Sequence, residues 1–73
     1  MRTTFDAEAD AAYVSLIPET EPGWSVRNEV VETLDGTVVL DFDRSGVLLG
    51  VEVLGATKMF DQSTLAGAVR LDQ

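Results

Sequence analysis

The chain has 73 residues, room for one domain (1–73) and no second core, and it carries neither cysteine nor histidine. Disulfides and every thiolate or imidazole metal site are thereby excluded. A domain this small buries only about 60% of its unfolded surface, so it needs tight packing, oxygen-only metal binding or a partner chain. Thirteen Asp and Glu against five Lys and Arg leave a net charge of −8, which repels phosphate backbones, argues against direct nucleic-acid binding and attracts a basic partner.

In chain order, the pattern predicts a first strand over Arg2 to Phe5, with Thr3 and Phe5 on one face. Asp6 to Asp10 reads as a turn, rich in side chains that bond the local backbone. Ala12 to Ile17 is a second strand, alternating Tyr13, Ser15 and Ile17 against Val14 and Leu16. Two prolines and a glycine in Pro18 to Gly23 break any regular element. Trp24 follows, either folded over the core edge or standing as an exposed interface anchor. Val26 to Leu34 is a third strand, and Asp35-Gly36 predicts a type I′ hairpin with positive φ at Gly36. Thr37 to Phe42 is a fourth strand with Val38, Leu40 and Phe42 inward. Asp43 to Gly46 is a second turn, with Gly46 at positive φ, and Val47 to Leu54 is a fifth strand. At the end, Asp61 or Ser63 caps a short helix that puts Leu65 and Val69 on one face.

The expected fold is therefore mainly β (α+β): an antiparallel five-stranded meander with a short C-terminal helix. Val47, Leu49, Val51 and Val53 share one face of the fifth strand while Leu48 and Leu54 occupy the other, and Val39 does the same on the fourth. Apolar residues on both faces call for cover on both sides, which predicts a homodimer. No apolar run approaches the roughly 18 residues of a membrane span. Asp6, Glu8 and Asp10 interrupt any leader-like stretch, so the expected location is the cytoplasm, away from membranes.

Two blocks carry a family resemblance. Phe5 to Leu16, reading FDAEADAAYVSL, resembles the "YD-x-EADALYI-x-L" opening of the bacterial DUF2283 family. Val39 to Thr57 is similar to its "DYD-x-x-G-x-LVGIEIL-x-AS" segment, with Phe5 and Phe42 in place of tyrosines, Val51 and Val53 in place of isoleucines, and Thr57 in place of serine. The family is uncharacterised, and the resemblance implies no catalytic residue. Because some members lie beside small toxin-like genes, it implies an antitoxin-like role beside a small basic protein.

The acidic residues form two patterns. Asp41-x-Asp43-x-Ser45-Gly46 with Glu52 matches the spacing of a calcium loop, yet strands rather than helices flank it. Asp6, Glu8 and Asp10 alternate like ligands for a hard cation, and also like a solvated turn. Asp41 and Glu52, on neighbouring strands, are the pair for carboxylate catalysis, in a chain with little room for a cleft. No cofactor motif exists, since Gly46 and Gly50 belong to a turn and a strand. The expected function is an acidic protein-interaction module. A divalent-cation domain using Asp and Glu oxygens is the alternative, and a carboxylate enzyme comes third.

Overall fold

Period-two alternation builds most of this chain, and a computed structural model describes residues 1–18 and 23–72 of it. The strands are β1 (Arg2–Asp6), β2 (Ala11–Ser15), β3 (Arg27–Glu32), β4 (Thr37–Phe42), β5 (Leu48–Leu54) and β6 (Val69–Arg70). Two short helices, α1 (Ala56–Met59) and α2 (Gln62–Ala66), lie between β5 and β6. All six strands form one sheet in the order β3-β4-β5-β2-β1-β6.

The five expected strands are present, but they do not form a meander. β3, β4 and β5 run antiparallel in sequence, whereas β2 pairs with β5 rather than with β3. The reason is long-range pairing: β5 bonds β4 along one edge and β2 along the other, and a period of two does not say which strand lies alongside. The sheet is also mixed, because β6 pairs parallel with β1, Thr4 opposite Val69 and Phe5 opposite Arg70. Val69 is thus a strand residue and does not share a helix with Leu65. Asp61 does cap α2, accepting from Ser63 N at 3.2 Å, and the helix stops at Gly67, where continuation would cost about 1 kcal/mol.

Register assigns the faces. Phe5 lies opposite Ala12, Ala12 opposite Val53 and Val53 opposite Val38. These residues share one face with Val14, Leu40, Leu49 and Val51. The helices cover the β1–β2 end of this face, where Ala56 and Leu65 pack with Phe5 and Ala12, flanked by Phe60 and Ala68. Among the described residues the buried apolar set is small: Phe5, Ala12, Leu49, Val53, Ala56 and Leu65. The opposite face carries Tyr13, Glu52, Gly50, Val39, Asp41, Asn28 and Val30.

The turns divide between expectation and correction. Gly46 has φ of 86° as expected, and Asp43 Oδ1 accepts from Ser45 N and Val47 N across that turn. Gly36 does not have positive φ. The turn is one residue earlier, centred on Leu34 and Asp35, and closed by Thr33 N donating to the Gly36 carbonyl at 2.8 Å. Thr33 Oγ1, which donates to that carbonyl and accepts from Gly36 N, reinforces it. Glycine stands at 36 for a different reason: a Cβ there would lie 2.2 Å from the Leu54 carbonyl oxygen.

Candidate functional site

The carboxylates singled out in the sequence are mostly occupied in holding local structure. Asp6 Oδ1 accepts from Glu8 N at 3.0 Å, closing the β1–β2 turn, and the Glu8 side chain is exposed. Asp10 adopts a left-handed φ of 50°. Its carbonyl accepts from Gly55 N and Ala56 N, both at 2.9 Å. Its side chain accepts from Thr57 N at 2.9 Å and Thr57 Oγ1 at 3.0 Å. α1 starts at Gly55, which has no side chain to cap it, so Asp10 performs the capping from another part of the chain. Sequence reasoning missed this role, because nothing local connects positions 10 and 57. Among the described residues no three carboxylates converge as a metal nest.

Asp41 and Glu52 lie on the same face but are diagonal: Asp41 faces Gly50, and Glu52 faces Val39. Diagonal positions lie about 7–8 Å apart along the backbone. Asp41 engages other partners. Tyr13, on β2, crosses β5 above Gly50 and donates its hydroxyl to Asp41 Oδ2 at 3.1 Å. Asn28 Nδ2, on β3, donates to Asp41 Oδ1. The crossing requires glycine at 50, since a Cβ there would sit 2.1 Å from the Tyr13 hydroxyl. Burial pushes the Tyr13 hydroxyl above its ordinary pKa, helped by its bond to Asp41 and by the charges of Asp41 and Glu52. A phenol held protonated in this way is a hydrogen-bond donor, not a base. This cluster straps four strands together across the sheet.

Trp24 is 44% exposed and lies at the rim of the fold, beside the buried Leu49. It walls an open groove of about 470 Å³ with Ile17, Pro18, Val47 and Leu49.

The largest uncovered feature is β3 itself. All six of its residues are exposed. Val30 is 60% exposed on the Tyr13 face and Val31 48% exposed on the other. β3 lies at the end of the sheet, and among the described residues no strand pairs with its outer edge. Backbone alternation shows which groups point outward. Thr33 N bonds the Gly36 carbonyl, and this pair continues the β3–β4 register. The odd-numbered residues of β3 therefore bond inward to β4. The N–H and C=O of Asn28, Val30 and Glu32 point away from β4, to the side where no described strand lies. β3 carries no proline, lysine or register shift, while Arg27, Glu29 and Glu32 are charges of the kind that guard such edges. Arg27 stacks its guanidinium 4.5 Å from the Phe42 ring centre and lies 3.7 Å from Glu29, leaving the strand with charges of both signs.

A family model described as "Protein of unknown function (DUF2283)" matches residues 2–56. No curated protein and no solved structure matches the chain. No helix among the described residues is long and apolar enough to cross a membrane.

Proposed function

We propose that this chain, which belongs to the DUF2283 family, is a cytoplasmic protein-interaction module that accepts an extended segment along the outer edge of β3. The observation that carries the reading is the exposure of all six β3 residues, with a row of backbone donors and acceptors that no described strand pairs and a valine exposed on each face. Such an edge binds by strand addition: backbone hydrogen bonds give affinity, and alternate side chains give specificity. The net charge of −8 favours a basic partner and speeds its approach. An antitoxin-like pairing with a small basic protein is one instance. Cation binding and carboxylate catalysis lack comparable support, because Asp6, Asp10 and Asp43 spend their oxygens on backbone N–H groups.

The test is co-purification from the native host with the wild-type chain and with Val30→Pro. Val30 N–H faces outward, so proline blocks the edge without removing a bond to β4. A basic protein recovered stoichiometrically with wild type, lost with Val30→Pro and weakened by salt is the expected result. Equal recovery by both would refute the edge as the interface.

A further inference from the structure

We infer that, while no basic segment is bound, a second copy of this chain occupies the β3 edge, antiparallel, with Val30 opposite Val30 of the second copy; the two occupants exclude each other. The inference rests on β3 being the interface and adds its occupant and register. The outward groups belong to Asn28, Val30 and Glu32, so these residues must meet one another across the new pair. In an antiparallel ladder each such pair exchanges both its N–H···O bonds. A two-fold axis perpendicular to the sheet satisfies this in only a few registers, and the side chains choose among them.

Placing Asn28 opposite Val30 of the second copy sets Glu29 against Glu29 of that copy, two carboxylates on backbones about 4.5 Å apart. Placing Val30 opposite Glu32, or Asn28 opposite Asn28, of the second copy shortens the overlap to three β3 residues from each copy. With Val30 opposite Val30, no like charges face each other. Asn28 then lies opposite Glu32 of the second copy, a donor against an acceptor. Glu29 lies opposite Val31 of the second copy, and the two Val30 side chains, each 60% exposed in the single chain, cover each other. The two six-stranded sheets become one continuous sheet, and the open edge disappears. Each copy carries −8, so the dimer forms against repulsion and tightens as salt rises, whereas a complex with a basic partner loosens.

The chain has no cysteine, which makes register testable by crosslinking. Glu29→Cys and Val31→Cys are prepared separately, mixed and oxidised. Facing residues of a non-hydrogen-bonded pair are within disulfide reach. The expected result is a covalent dimer from the mixture and little from either variant alone. Sedimentation equilibrium of the wild type is expected to give twice the 7.9 kDa chain mass, with Val30→Pro and Val30→Lys each weakening association at least about tenfold. A covalent dimer from Glu29→Cys alone overturns the register. A dimer undiminished in both Val30 variants overturns the edge as its seat. A wild type that stays monomeric overturns the inference, and if Val30→Pro still loses its co-purifying basic protein, the broader interaction reading stands.

Discussion

Gly36→Ala tests the tightest backbone approach in the molecule. The added Cβ would lie 2.2 Å from the Leu54 carbonyl oxygen and 3.1 Å from Met59 Cγ, whereas real Cβ contacts stay above 3.0 Å. Met59 can swing aside, but the Leu54 carbonyl cannot move freely. Leu54 pairs with both Thr37 and Ala11, and the next two N–H groups are bonded to the Asp10 carbonyl. Overpacking of this kind costs about 1–3 kcal/mol, against a gain of about 0.4–1 kcal/mol from a stiffer unfolded chain. The clash decides the sign, and a net loss of about 1–2 kcal/mol is a large share of what a domain this size holds. Urea melts at one fixed protein concentration should show a midpoint lowered by roughly 1–2 M. Gly36→Asn and Gly36→Val should fall with it, because the Cβ itself is the problem. Gly46 provides the contrast: its φ is 86° and open space lies where a Cβ would stand, so Gly46→Ala loses about 1–2 kcal/mol from conformation alone and Gly46→Asn only a fraction. A Gly36→Ala midpoint equal to or above wild type would refute the close-approach argument.

Three further outcomes follow from the same structure. Tyr13, the single tyrosine, should ionise above its ordinary pKa in a spectrophotometric titration; because the folded value is raised, its contribution to stability is complete below the unfolded pKa near 10 and is lost as pH rises through the folded one. Gly50→Ala should push the ring off Asp41 and return that titration toward its ordinary position. Asp10→Ala should destabilise by about 2 kcal/mol, from a lost cap and a left-handed alanine, while Asp10→Asn, which keeps an acceptor and tolerates that φ, loses much less in the same melts. Calcium calorimetry should give no saturable one-site heat below about 10 μM, since Asp43 is bonded within its turn; a one-site heat abolished by Glu52→Gln would contradict this.

Alternation and turn chemistry make much of this protein readable from its residues alone. Thr37 to Phe42 is a strand with the bounds its alternation predicts, Gly46 has the left-handed φ its turn requires, and Asp61 caps α2. These are local properties, set within a few residues by side-chain period and backbone sterics. The apolar residues on both faces of the fifth strand are legible too. By themselves they point to a second chain; in the fold of one copy Leu49 and Val53 are buried while Leu54 stays 40% exposed. A period of two says which face a residue takes, not which strand lies beside it. The sequence therefore cannot place β2 against β5, or predict a two-residue strand parallel to β1. Nor can it show that Gly36 is glycine because Leu54 passes close by, or that Asp10 caps a helix 47 residues along the chain. Asp41 stands out in the sequence, yet its partner Tyr13 lies 28 residues away and meets it only because Gly50 lets the ring cross between them. The exposed edge of β3 depends in the same way on strand order, and strand order is decided by long-range pairing.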